Sequence, residues 1–333
     1  MTKHLARSKG GWHRQMPCLM VIGFLAWVSN CIASEARPPK NEQDLRYWLE
    51  NMVWHHGYTK SEASFVTGLP DTAITESLLK WRIETSTAPR HDPKEGLKVL
   101  PYPGGRHPRI GFLDGAVNPQ RDTKISVFTP WDEKAYVVVD VPEAIWSNLG
   151  LTYLAHTHIP TIWTKEGAVL EKLEWDRREK GRLAMGRRLP NGIGFGALVN
   201  SSRAGVVMDL WLTNGSPHRL TDLRVQNCVM LKGVPGFNQL TNANKIIRNP
   251  YVACKNEAGT KWIITAWKPC HRPWANPPVP CLHSDPKFPD CPPGEVRLVS
   301  GWLSFYEGSD LESEINRLES LDWDNSVTLR QPR

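Results

Sequence analysis

Beyond residue 28 the sequence has no apolar run long enough to cross a membrane, which takes about 20 residues, and no clustered basic stripe such as a nucleic-acid surface requires. It has no glycine-rich phosphate loop and no alternation of strand and helix patterns, which excludes a doubly wound nucleotide-binding fold. No Ser-His-Asp motif with a nucleophile elbow occurs. Internal repeats and low-complexity tracts are missing too. Acidic residues are absent from the first 33 positions. There Lys3, Arg7, Lys9 and Arg14 precede the apolar run 18–28 and the small residues around Ala33 and Ala36, which is the order of a secretory signal. The expectation is export to the periplasm or the extracellular space, with residues 1–33 as the signal peptide and no membrane span after its removal. Of 41 basic residues four lie in that leader, against none of the 34 acidic ones, so the remainder carries a net +3 and the high pI is partly a leader effect.

Tryptophan is abundant. Of the 15, all but Trp12 and Trp27 follow the leader, and they serve packing as well as flat, amphipathic contact with ligands. Five cysteines remain: Cys228, Cys254, Cys270, Cys281 and Cys291. In an oxidising compartment disulfides are the default, and three cysteines crowd the Pro-rich segment 270–291, so a bridge is expected there, with at least one thiol left over.

About 300 residues after the leader suffice for a sizeable core. From Asn41 to about residue 84 the pattern is helical. Leu45, Trp48, Leu49, Met52 and Val53 recur at three- and four-residue spacing, Thr59-Lys60-Ser61-Glu62 reads as a capping box, and a third helix carries Ile74, Leu78, Leu79 and Trp81. This predicts a small three-helix module packed as a cap on the main domain. From residue 100 to 308 short β-rich runs bounded by Gly, Pro, Asp and Asn follow one another, including 123–129, 135–141, 151–155, 193–199, 206–213, 223–231, 262–267 and 296–306. They predict a mainly β, antiparallel sandwich, with Asn214-Gly215 as a turn. A helix over 309–322, capped by Ser309 or Asp310 and striped by Leu311, Ile315 and Leu318, closes the chain.

Four constellations could carry chemistry. His156 and His158, two apart on a strand, would face one side and could share a metal or a substrate; Gly150-x5-His156-x-His158 resembles the opening of the first cupin motif, although the next Glu, Glu166, comes later than that family's ligand. The segment 270–285 holds His271, Trp274, His283 and Asp285, with His283 and Asp285 as an acid–base pair or metal ligands and Trp274 as a stacking platform; its six prolines in 273–289 predict a stiff, extended loop. Arg106 and Arg109, beside Gly104-Gly105, could grip a carboxylate or sulfate, with His107 between them as a further ligand-binding candidate. Arg224, Gln226 and Cys228 share one face of a strand, with Val225, Asn227 and Val229 on the other. Trp163 is a further candidate ligand contact.

The succession 206–213, Asn214-Gly215-Ser216, 220–231, together with Pro292-Pro293-Gly294-Glu295 leading into 296–306, resembles the strand rhythm and ending of the aldose-epimerase, or galactose-mutarotase-like, β-sandwich superfamily. It departs from that family at Asn227, which Cys228 rather than His follows. The resemblance implies a carbohydrate-facing cleft in which His and acidic side chains transfer protons, here His156, His158, and His283 with Asp285. The chain as a whole also resembles exported proteins of the planctomycete type, which adds no function. The leading expectation is therefore a carbohydrate-processing or carbohydrate-binding sandwich with a small polar ligand. A cupin-like metalloprotein and a non-enzymatic envelope protein are the alternatives.

Overall fold

The computed structural model describes residues 36–106, 121–155, 159–178 and 181–324. Helix α1 (Glu42–Leu49) starts at Asn41, whose side chain accepts from the Asp44 amide, and continues as a π-helical stretch, Glu50–His55. Helix α2 (Lys60–Thr67) is held by the expected reciprocal Thr59–Glu62 capping box and stops at Gly68, whose φ of 72° a side chain would resist. Helix α3 is Asp71–Trp81. Trp48, Leu49, Met52, Val53 and Ile74 bury against one another as the module's own apolar cluster, whereas Leu79 turns out to water.

Among the described residues fifteen strands build two antiparallel sheets. They are β1 (Val99–Pro101), β2 (Lys124–Phe128), β3 (Tyr136–Ser147), β4 (Gly150–Leu154), β5 (Asp176–Arg177), β6 (Leu183–Arg188), β7 (Ile193–Ser201), β8 (Val206–Asn214), β9 (Val225–Met230), β10 (Lys245–Arg248), β11 (Tyr251–Lys255), β12 (Lys261–Lys268), β13 (Cys270–Trp274), β14 (Cys281–Pro286) and β15 (Val296–Glu307). The first sheet runs β1-β2-β3-β9-β14-β13, with β4 hung on β3; the second runs β10-β11-β12-β15-β8-β7-β6-β5. The two inner faces supply the core: Ile125, Val127, Val137, Val139, Val225 and Val229 from one sheet meet Phe195, Met208, Leu210, Leu212, Val299 and Leu303 from the other. Successive side chains alternate across a strand, so those apolar sets fix which residues face outward. The fold is thus the expected antiparallel β-sandwich.

The outer face of the first sheet is polar and yet buried. Lys124 and Ser126 on β2, Asp140 on β3, Cys228 on β9 and His283 on β14 are each at most 4 % exposed. Lys124 and Asp140 form an ion pair there. The helical module covers part of this face. His56 donates from Nδ1 to the Asn51 carbonyl (2.9 Å) and accepts at Nε2 from the Ser126 hydroxyl (2.7 Å), and Asn51 donates to the Pro101 carbonyl (3.0 Å). On the far side, α5 (Leu311–Ser320), capped by Asp310, lays Leu311, Ile315 and Leu318 on Trp262 and Trp302 of the second sheet.

Three expectations need correcting. No disulfide forms among the described cysteines, all five of which are free thiols. For Cys270 and Cys281 the register shows why: Cys270 lies opposite Pro286, while Cys281 starts β14 five residues away, about 16 Å along a strand. The Pro-rich segment is not a loop but the edge hairpin β13–β14. Asn214-Gly215 is not a hairpin turn either. The chain leaves the second sheet there and enters the first, and Asn214 steers it by accepting from the Ser216 amide and donating to the Cys291 carbonyl.

Candidate functional site

Strands β3, β9 and β14 bring the chemistry together. On β9 the outward residues are Gln226 and Cys228, as the sequence pattern predicts, while Val225 and Val229 go into the core. Cys281 opens β14 opposite Met230, and Leu282 faces Val229, so Leu282 points to the core and Cys281 and His283 point outward. The result is a cluster in which the donor atoms of Cys228, Cys281 and His283 all lie within 4.8 Å of one another, with all three residues buried.

The imidazole is fixed on every side. Its Nδ1 donates to the Asn227 carbonyl at 2.8 Å, which leaves Nε2 facing the Cys281 sulfur at 3.2 Å. Trp274, directly opposite His283 in the hairpin, stacks on it with centroids 4.0 Å apart and planes 14° from parallel. Trp274 is held in turn by Asp285, whose Oδ2 accepts from the indole Nε1 at 2.6 Å and from Arg272 at 3.1 and 3.3 Å. The other oxygen of Asp285 accepts from the Asn227 amide at 3.2 Å and stands 3.8 Å from His283 Nδ1. His283 and Asp285 are therefore not a directly bonded acid–base pair; both lean on the backbone of Asn227.

Burial and neighbouring groups shift two of these donors. A hydrogen bond with Cys281, then burial, and then the Glu143 carboxylate hold the Cys228 thiol well above its ordinary range. Burial alone would lower His283, but the Cys228 sulfur and Asp285 outweigh it and raise the imidazole.

The cluster opens on a cleft of about 170 Å³, lined by Cys281, His283, Trp274, Trp146, Glu143 and Gln226, with Asn276 at its edge. Glu143, 3 % exposed, accepts from the Gln226 amide at 2.8 Å. It sits on β3 where the register with β9 slips between Asp140 and Ala144, which turns its side chain outward. The sequence reading missed Glu143 because its strand ended before Pro142; the residue type inside a β-rich run was the available signal.

Other predicted site residues lie elsewhere. Arg106 spends its guanidinium on Glu62, at 2.6 and 2.8 Å, and on the His56 and Gly57 carbonyls, so it docks the helical module rather than a ligand. Trp163, on the short helix α4 (Ile162–Lys165), is buried in the core and donates to the Thr152 carbonyl at 2.8 Å. Arg224 is exposed and pairs with Asp222, its guanidinium 5.8 Å from the Trp146 ring. His271 is exposed on the edge strand β13. His107, Arg109, His156 and His158 lie outside the described residues. No helix of the described residues is long and apolar enough to cross a membrane.

No family model matches the chain, and no curated protein does. Among solved structures, it is similar over 57 % of its length to a quarter (25 %) of a protein described as a kojibiose phosphorylase from the human microbiome, with a TM-score of 0.33 and 5 % identity. It is also similar over 56 % of its length to 88 % of the Slr1438 protein from Synechocystis sp. PCC 6803, with a TM-score of 0.32 and 8 % identity. At these scores neither likeness bears on what the chain does.

Proposed function

We propose that the cleft over β3, β9 and β14 binds a compact polyhydroxylated ligand of the carbohydrate class. The observation that carries this reading is the pairing of two indoles, Trp146 and Trp274, with the buried Glu143–Gln226 couple and Asn276 around one small cavity. A sugar ring has an apolar C–H face and a rim of hydroxyls. An indole plate takes the first, Trp146 foremost, because Trp274 already carries His283 at 4.0 Å and the Arg272 guanidinium at 4.6 Å from its ring, and amide and carboxylate oxygens take the second. Asp285 and Arg272 hold Trp274 in place before any ligand arrives, so little ordering cost is left to binding. The size of the cavity suits one ring, not an extended oligomer. The leader-like residues 1–33 extend the proposal to work outside the cytoplasm, which N-terminal sequencing of the protein recovered from its native compartment checks.

The test is isothermal titration of the full-length protein with a panel of mono- and disaccharides, beside Glu143→Gln and Trp274→Ala. A subset of the panel binds saturably, and each substitution weakens it by roughly tenfold or more, the equivalent of one hydrogen bond or stacking contact. Absence of binding across the panel, or equal affinity in both variants, overturns the reading.

A further inference from the structure

The cluster at the floor of the cleft has a second capacity, which goes beyond the saccharide reading and does not depend on it. We propose that Cys228, Cys281 and His283 form a three-donor site for a divalent cation of the zinc class, with its fourth position open to the cleft.

Distance comes first. A tetrahedral zinc with Zn–S of about 2.3 Å and Zn–N of about 2.0–2.1 Å needs its donors about 3.3–3.8 Å apart. Here all three donor atoms fall within 4.8 Å of one another, and the Cys281 sulfur stands 3.2 Å from Nε2 of His283. Shifts of a few tenths of an ångström up to about 1 Å would close the set, and rotation about χ1 of a cysteine supplies them.

Orientation comes second. A ligating histidine normally gives its other N–H to a carbonyl or carboxylate, which fixes the tautomer and aims the lone pair at the metal. His283 already does so: Nδ1 donates to the Asn227 carbonyl at 2.8 Å, and Nε2 is the atom that faces the sulfurs. The Trp274 ring stacked on the imidazole, itself tied to Asp285, prevents that ring from turning away. Such support is what a preorganised metal ligand requires and what a merely packed histidine does not.

Donor chemistry comes third. Two sulfurs and one imidazole nitrogen select zinc and other soft or borderline ions over magnesium and calcium, which take oxygen. Three protein ligands with a fourth direction toward solvent is the pattern of a catalytic rather than a structural zinc. Cys281 and His283 both line the cleft, so a bound ion would meet a ligand hydroxyl or a water there, with Glu143 on the same wall. Binding would displace the thiol protons, so affinity falls as pH falls.

A Cys228–Cys281 disulfide competes for the same atoms, and the register disfavours it. Cys281 lies opposite Met230, so Cys228 is its diagonal neighbour. Diagonal positions in an antiparallel pair stand about 7–8 Å apart at Cα, beyond the usual reach of a disulfide.

The experiment uses the full-length protein, purified, stripped with a chelator and titrated with Zn²⁺ against a chromophoric competitor, and separately with Co²⁺. One equivalent binds, and Co²⁺ develops the intense near-ultraviolet charge-transfer band of thiolate ligation. Cys228→Ser, Cys281→Ser and His283→Gln each weaken binding by more than the roughly 10–100-fold typical of outer-shell changes, whereas Asp285→Asn stays within that range. Circular dichroism confirms that each variant is folded, and the Co²⁺ band of the wild-type protein reports ligation without any variant. A folded wild-type protein that binds no stoichiometric ion overturns the proposal. So does binding unchanged in the cysteine variants, binding lost instead in a His156→Ala/His158→Ala double variant, or a Cys228–Cys281 disulfide in the non-reduced protein by mass spectrometry.

Discussion

Asp285→Asn is the substitution whose cost can be worked most closely from the structure. The carboxylate is 2 % exposed and accepts four bonds: from Trp274 Nε1 (2.6 Å), Arg272 (3.1 and 3.3 Å) and the Asn227 amide (3.2 Å). An amide of the same shape has one acceptor oxygen. If that oxygen stays with Trp274 and Arg272, its NH₂ group faces the buried Asn227 N–H, and a donor left without an acceptor costs about 1–3 kcal/mol. The indole bond also loses its charge assistance, about 1 kcal/mol more. The Arg272 guanidinium is half exposed, so its pairing adds only a few tenths. The expected loss is about 2–4 kcal/mol of unfolding free energy in urea at pH 7, against about 1 kcal/mol for Trp274→Phe and less for Arg272→Ala. Because Trp274 loosens as well, saccharide affinity falls with stability. A loss under about 0.5 kcal/mol, the range of an ordinary surface change, would refute the bonding described for this residue.

Three further outcomes follow from the same physics. Burial, and to a lesser degree neighbouring His55 and Arg106, hold His56 down at about 3, against a bond to the Asn51 carbonyl that favours the charged ring, from an ordinary 6.5. Its neutral form thus stabilises the module's docking above pH 6.5, and that stability is lost as pH falls toward 3. Between pH 6.5 and 4.5 the loss is about 2.3 kcal/mol, approaching 1.36 kcal/mol per pH unit below the unfolded value, and His56→Gln flattens that part of the curve in denaturation followed by circular dichroism. Burial lifts Asp209, despite its bond from Ser300, from 3.8 to about 6. Stability from that group is full below pH 3.8 and lost as pH rises through 6, so Asp209→Asn should gain about 2–3 kcal/mol at pH 7.5 and nothing below pH 4, again read from urea midpoints. Gly301→Ala sets a Cβ only 2.3 Å from the Trp267 indole, in a core that cannot yield, and a drop in thermal midpoint of several degrees is expected, consistent with an overpacking cost of about 1–3 kcal/mol.

The elements were legible where local pattern decides them. The Thr59–Glu62 box, the Asp310 cap with its Leu311–Ile315–Leu318 stripe, and the alternating runs of β2, β7, β8, β12 and β15 all stand where the spacing put them. Among the strands missed, β13 holds Pro273, which speaks locally for a turn but which an edge strand tolerates, and β6 is short, with Gly186 and two arginines that mask its alternation. The burial of the polar outer face of the first sheet was not legible. Ser126 lies beneath the helical module, and nothing local in Lys124-Ile125-Ser126-Val127-Phe128 announces that cover. The site was half visible. Trp274, His283 and Asp285 were singled out by residue type and do meet, as do Gln226 and Cys228 on one strand face. That Cys228 joins Cys281 and His283 depends on β9 lying beside β14, a long-range pairing that composition and periodicity do not encode.

The central claim is that function resides in the cleft over β3, β9 and β14. Hydrogen–deuterium exchange of the full-length protein, with and without the best-binding saccharide of the panel, tests it most directly. Protection confined to peptides spanning 143–147, 225–230 and 274–286 is the predicted result. Protection elsewhere, on the second sheet or the helical module with those strands unchanged, would contradict it.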